Sequence, residues 1–278
     1  MTRKTSIRFP LVLFIFAALV LTIWLGYEGY VNYAPVKPFL IYYGGLPTAE
    51  KQANAFVKRL VGYSVVVLGT GLNDPTIASK IIHLGQKSSQ PIRFYGYISI
   101  GVTHQAGNLS ESTVRSRLLQ WKNIGANGVL YDTAGPDFGV SHKRLERLIK
   151  MAHQTGLQVI VNSWYPQALL DAGLTVSDGY LAENWYVSDG RLRSVPSGAA
   201  YIQLLKRQGI PIYMTATGAA RINAISPTTL RAWIAGSQKV AAGEFIAIAD
   251  ENYSADSDYI EPAATLKKLI QSFYPFGL

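Results

Sequence analysis

Three short words in this sequence end a run of apolar residues with an acid: Tyr131-Asp132, Ala182-Glu183 and Ala249-Asp250-Glu251. Paired carboxyl groups, one ionised and one protonated, flanking an acetal are the machinery of glycosidic bond cleavage. Around these acids stand Tyr43, Tyr97, Trp164, Trp185 and Tyr253, with Ser99 and Asn162 at equivalent ends of other apolar runs. Sugar rings present C–H faces that pack on aromatics and hydroxyls that need carboxylate, amide and hydroxyl partners, so this mixture suits a saccharide. Asp132, the shorter acid with a glycine-containing turn after it, is the candidate nucleophile. Glu183, close to Trp185, is the candidate proton donor, because an apolar neighbour raises a carboxyl pKa by desolvation. Asp250, Glu251 and the aromatic and polar residues named above are candidate substrate contacts. The bland alternative for one acid at a strand end is a helix N-cap or a loop salt bridge. It stays open for Asp132, and more so for Asp250-Glu251.

Other chemistries find less support. There is no cysteine, which excludes disulfides, thiolate metal sites and an acylated-cysteine anchor. Of the four histidines, His83, His142 and His153 fall in helical stretches, leaving His104 alone near an apolar run's end. No transition-metal cluster is expected, nor any cofactor. An all-oxygen Mg²⁺ site built from Asp132, Glu183 and Asp250 stays open, with a lyase or isomerase as its consequence. Thr215-Ala216-Thr217-Gly218 partly resembles a phosphate-binding turn, but Asp250-Glu251 beside it would repel the anion.

The elements that must position these residues alternate along the chain. Strands are expected at Phe39–Tyr43, Ser64–Leu68, Ile92–Ser99, Gly128–Asp132, Leu157–Asn162, Gly179–Glu183, Pro211–Thr215 and Phe245–Asp250. These runs are apolar without strict alternation, as parallel strands covered on both faces should be. Helices are expected at Thr48–Val61, Pro75–Gln86, Ser110–Ile124, Ser141–Thr155, Pro166–Ala172, Ser197–Gln208, Ser226–Ala242 and Glu261–Phe273. Gly62, Gly125, Gly156, Gly209 and Gly243 follow helices as C-terminal stops. Eight βα repeats in a chain of 278 residues predict a single (β/α)₈ TIM barrel over residues 38–278. Its active site should lie at the carboxyl ends of the strands. An open doubly wound sheet is the alternative, but it would gather its ligand contacts at one switch point. Tyr63, Trp121 and Trp233 are expected to pack on helices.

Ahead of the barrel, residues 1–8 are basic and 9–26 form an uncharged apolar run close to the ~20 residues that span a bilayer. Positive residues before the run keep the amino terminus cytoplasmic. The expectation is a single-pass signal anchor at 9–26, a linker at 27–37, and a barrel on the extracytoplasmic side of the cell membrane. A cleaved signal peptide, giving a secreted protein, is the competing reading. The net charge is +9, and setting aside Arg3, Lys4 and Arg8 leaves +6 on the remainder. Those charges are scattered over helices such as Lys143–Lys150, so no nucleic-acid partner is expected. No obligate protein partner is evident.

At its strand-end words the sequence resembles glycoside hydrolase family 114, the endo-α-1,4-polygalactosaminidase-like TIM barrels. The residues that carry the resemblance are Tyr42-Tyr43-Gly44, Tyr97-Ile98-Ser99-Ile100-Gly101, Gly125-Ala126-Asn127-Gly128-Val129, Tyr131-Asp132, Val161-Asn162 and Glu183-Asn184. They run in the family's order over residues about 38 to 272. The resemblance implies a retaining glycosidase in which Asp132 is the nucleophile and Glu183 the acid/base, acting on a partly deacetylated galactosamine polymer. The leading expectation is therefore an exported, membrane-anchored hydrolase of an extracellular or cell-wall polysaccharide. A glycan-binding barrel without turnover is the alternative.

Overall fold

A computed structural model of the chain describes residues 19–21, 36–184, 187–188, 191–192, 198–217, 226, 228–229, 232–234 and 244–249. Its strands are β1 (Lys37–Tyr42), β2 (Val65–Leu68), β3 (Arg93–Ser99), β4 (Gly128–Asp132), β5 (Gln158–Asn162), β6 (Gly179–Ala182), β7 (Val187–Ser188), β8 (Arg191–Leu192), β9 (Ile212–Thr217) and β10 (Phe245–Ala249). Its longer helices are α1 (Glu50–Leu60), α2 (Pro75–Gln86), α3 (Glu111–Asn123), α4 (His142–Gln154) and α5 (Ala199–Arg207). Eight of the strands close a parallel barrel in the order β1-β10-β9-β6-β5-β4-β3-β2. The expected (β/α)₈ architecture is thus present, and the eight expected strands lie within two residues of their predicted ends wherever those ends are described.

Local chemistry sets the boundaries. Ser110 and Ser141 accept hydrogen bonds from the backbone N–H of Thr113 and Arg144, capping α3 and α4. Asp74 caps α2 in the same way, with Pro75 in the first turn. After α1, α3, α4 and α5 the chain reverses through Gly62, Gly125, Gly156 and Gly209 at φ between 75° and 101°, a region that costs any side chain bearing a Cβ.

Both faces of the sheet are apolar, and the register separates them. Phe39 pairs with Val65, Val65 with Arg93, Tyr97 with Leu130, Leu130 with Ile160, and Leu181 with Tyr213. Phe39, Ile41, Val65, Val67, Tyr95, Leu130, Ile160, Leu181, Tyr213, Phe245 and Ala247 form one buried cluster, the barrel's interior. A larger cluster fills the space between strands and helices. There Trp121 of α3 presses flat on β3 at Gly96, where an added Cβ would come within 2.0 Å of the indole.

The amino end of the barrel is closed by rings and cations. Tyr213 and Phe245 stack at 4.3 Å, and Lys37 and Arg93 lie 5.5 and 5.6 Å from the Phe245 centroid. Beside it, the buried Asp178 before β6 accepts from the N–H groups of Val159 and Thr175, from the Thr175 hydroxyl, and from His153 on α4. One carboxylate thereby joins β5, the β6 approach and α4.

Several expectations need correction. Pro166–Ala172 is only a 3₁₀ turn, Pro166–Leu169, because Asp171 (φ 60°) and Gly173 (φ 87°) turn the chain out of the helical region at once. The sequence reading also missed the antiparallel β7–β8 pair between β6 and α5. Its dipeptide Asp189-Gly190 is the residue pair that two-residue hairpin loops favour. Tyr63 is buried, but it follows α1 rather than lying on it. Residues 228–229 and 232–234 are helical, consistent with part of the Ser226–Ala242 expectation, while Glu261–Phe273 and Gly243 lie outside the described residues. Leu19–Leu21 are helical and exposed. The rest of the 9–26 run, where an anchor is expected, lies outside the described residues, among which no helix is long and apolar enough to cross a membrane.

Replacing Asp178 by Ala leaves the buried Val159 N–H without its acceptor and releases the ties to Thr175 and to the partly exposed His153 ring. The expected loss of stability is about 3 kcal/mol, read as a lower urea midpoint with an unchanged slope.

Candidate active site

The interior phase of each strand continues upward into the mouth. Asp132 stands two residues beyond Leu130, Asn162 beyond Ile160, Glu183 beyond Leu181, Tyr97 beyond Tyr95 and Tyr43 beyond Ile41. Alternation along a strand therefore turns all five side chains onto the barrel axis above the apolar interior. β4, β5 and β6 are consecutive neighbours, so Asn162 sits between the two acids.

Its amide nitrogen binds both. Asn162 Nδ2 donates to Asp132 Oδ1 at 2.8 Å and to Glu183 Oε2 at 2.7 Å. Two bonds of that length sharing one nitrogen hold their acceptors no further apart than about 5.5 Å. The other oxygen of Asp132 accepts from the Tyr97 hydroxyl at 2.5 Å. The Tyr97 ring meets that of Tyr43 edge to face, centroids 5.5 Å apart. Tyr43 in turn lies over Gly69 at the end of β2, where a Cβ would stand 2.5 Å from its ring.

Asp132 is not a helix cap, since Ser141 caps the helix that follows. It accepts in both of its side-chain contacts. Burial, opposed by the Asn162 donor and reinforced by the charge of Asp132, raises the Glu183 carboxyl above its ordinary range. Burial first, then Asp132, also pushes the Tyr43 and Tyr97 phenols well above theirs, so both stay protonated donors.

The residue after each acid is left-handed: Thr133 at φ 53° and Asn184 at φ 49°. For a β-branched threonine this conformation costs about 1–3 kcal/mol, and it survives because surrounding bonds fix it. The Thr133 hydroxyl lies 2.6 Å from the Asp132 carbonyl and 2.8 Å from the Ser99 hydroxyl, and it accepts from Gly101 N–H at 3.0 Å. Ser99 also donates to Ala106. Arg144 of α4 donates to the carbonyls of Ile100 and Leu109, tying down the same loop. On the other side, Asn184 N–H donates to the buried Thr215 hydroxyl of β9.

Of the sequence-based site residues, the structure thus brings together Asp132, Glu183, Asn162, Tyr97 and Tyr43. Ser99 is spent on the loop that holds Thr133. Trp164 is exposed just beyond β5. Trp185, Asp250, Glu251 and Tyr253 lie outside the described residues. His104 is exposed in the loop after β3. Among the described residues no three acidic or histidine side chains gather to hold a metal ion. The sequence reading missed Thr133 and Thr215. Thr215 was legible from strand phase, because it lies two residues beyond Tyr213, whereas nothing in a threonine codon position announces a positive φ.

No known family model matches the chain, and no characterised protein matches it by sequence. Among solved structures it is similar to thiamine phosphate pyrophosphorylase from Pyrococcus furiosus, with TM-score 0.49 and 12% identity over 87% of this chain and 98% of that one. It is also similar to 3-dehydroquinate dehydratase from Geobacillus kaustophilus (0.49; 11%; 87% and 93%). The same holds for deoxyribose phosphate aldolase from Aeropyrum pernix (0.47; 16%; 88% and 92%). At these values the likeness says nothing of chemistry, and the barrel stands on its own strand order.

Asn162→Ala removes the one contact that holds the Glu183 carboxyl down. The Glu183 pKa is expected to move further up, as a shift to higher pH of its side-chain carbonyl resonance in an NMR titration, assigned by its absence in Glu183→Gln.

Proposed function

We propose that this protein is a retaining glycoside hydrolase related to family 114, exported and held at the cell membrane by residues 9–26, and that it cleaves an extracellular polysaccharide. The observation that carries the reading is the shared Asn162 amide. It holds one oxygen of each carboxyl group no more than about 5.5 Å from the other, which supports the short spacing of retaining enzymes over the wider spacing of inverting ones.

In this reading the protonated Glu183 donates its proton to the glycosidic oxygen while Asp132 attacks the anomeric carbon. The carbon–oxygen bond breaks, the leaving sugar departs with the new hydroxyl, and a glycosyl ester on Asp132 remains. Glu183, now ionised, takes a proton from water as that water attacks the same carbon, which frees Asp132 and reprotonates Glu183. Tyr97 and Asn162 hold Asp132 by one oxygen each, so its direction of attack is fixed before substrate arrives.

The charge of the mouth supports a cationic substrate. Among the described residues, the carboxyl ends of the barrel strands carry Asp132 and Glu183 and neither lysine nor arginine. A local acidic field of this kind attracts an amino-sugar polymer despite the positive surplus elsewhere. An α-1,4-linked galactosamine polymer fits that description.

Incubating the full-length chain with such a polymer should release reducing ends. Both Asp132→Asn and Glu183→Gln should lower the rate by about 10²–10⁴-fold. The first product seen by NMR should keep the substrate's anomeric configuration. Binding of the polymer by the wild type with no turnover would sink the hydrolase and leave a glycan-binding barrel.

Glu183 also sets a dependence of stability on pH. Because its folded pKa lies above the unfolded value, its contribution is intact at low pH and is lost as pH rises through the folded pKa. Glu183→Gln should therefore gain stability relative to wild type toward alkaline pH, with the difference closing on acidification, as measured by thermal unfolding across a pH series.

A further inference from the structure

Most large aromatic side chains of the described barrel are consumed by its core. Trp121, Tyr95, Tyr131, Tyr180 and Tyr213 are fully buried. Trp164 and Tyr165 are 52% and 41% exposed, adjacent in sequence, and come directly after the strand that carries Asn162. Exposing an indole of this size to water is unfavourable, and a pair of exposed rings beside a polar cleft marks a contact surface.

This surface is rigidly mounted. Ser163, itself buried, accepts from Tyr165 N–H at 3.1 Å, while its carbonyl accepts from the buried Tyr180 hydroxyl at 3.0 Å. The Asn162 carbonyl accepts from Ala134 N–H, two residues beyond Asp132. The turn bearing Trp164 is therefore tied to the same backbone that places the two acids. Gln158, Ile160 and Asn162 alternate along β5, and Trp164 follows two residues after the strand ends, in the turn that Ser163 holds. At about 3.3 Å per residue, its backbone lies no more than about 7 Å from that of Asn162.

We propose that Trp164 is a stacking platform for a sugar ring one position removed from the bond that is cleaved. The ligand it takes is a unit of a continuing glycan chain, bound through its C–H face. An exposed indole two residues beyond Asn162 favours a polymer over a single terminal sugar. This inference rests on the reading of the mouth as a glycan site and adds to it a residue that sets chain-length selectivity.

The test uses the full-length chain and α-1,4-linked galactosamine oligomers of graded length. In the wild type, kcat/KM is expected to rise at least about tenfold from short to long oligomers, and in Trp164→Ala most of that rise is lost through a higher KM with kcat retained. Trp164→Phe should restore part of it. In Glu183→Gln, long oligomers should quench tryptophan emission, and the additional Trp164→Phe change should abolish the quench. An unchanged length dependence in Trp164→Ala overturns the platform while leaving the hydrolase intact. Quenching that depends on Trp164, with no cleavage by the wild type, overturns the hydrolase while the platform stands. If oligomers of every length fail to alter the emission, the platform falls and the exposed pair is left as a surface for another protein.

Discussion

Two carboxyl groups aimed at the same small space repel one another and are costly to bury. What makes the arrangement tolerable is one carboxamide placed between them. Asn162 contributes two N–H bonds from a single nitrogen, one to each acid, so each hydrogen satisfies an oxygen of a different carboxyl group. The consequences run outward. β5 must lie between β4 and β6, all three strands must enter the mouth in the same phase, and the loops that follow must hold their turns. The barrel meets these demands with strand order, backbone geometry and the Arg144 guanidinium that ties down the loop after β3.

The two ends of the barrel divide the labour. At the amino end stability is concentrated: stacked rings, cations over an aromatic face, and a buried aspartate that gathers donors from three elements. At the carboxyl end, stability is given up to position. A left-handed threonine follows one acid and a left-handed asparagine the other, conformations that side chains rarely adopt unless their surroundings insist. Among the described residues, the buried side-chain oxygen of Asn184 finds no hydrogen-bond partner. Backbone strain thus directly follows both acids, as expected of a functional end.

Much of this was legible before any coordinates. The eight strands could be read as compact apolar runs, and the helices between them from start signals such as Ser110-Glu111 and from the glycines that follow several of them. Asp132 and Glu183 were legible as acids ending such runs. The importance of Asn162 was only partly so: its place at a strand end was visible, but not that one nitrogen would serve two carboxylates, which depends on the stagger of three strands. Thr133 was invisible, because its backbone angle is imposed by Ser99 and Gly101 from another loop. The short turn after β5 was misread as a helix since Pro166 and the leucines beyond it imitate a helical start. The β7–β8 pair escaped because two-residue strands carry too little pattern to detect.

The filled interior beneath the acids has a further consequence. Tyr95, Leu130, Ile160, Leu181 and Tyr213 are almost wholly inaccessible, so no water column reaches the acid pair from below. Among the described residues, the way to the acids lies at the carboxyl ends of the strands. For a reaction in two displacements this imposes an order of traffic: the departing fragment has to clear the opening before a hydrolytic water can follow it in. A floor built for firmness thereby also sets the sequence of events above it.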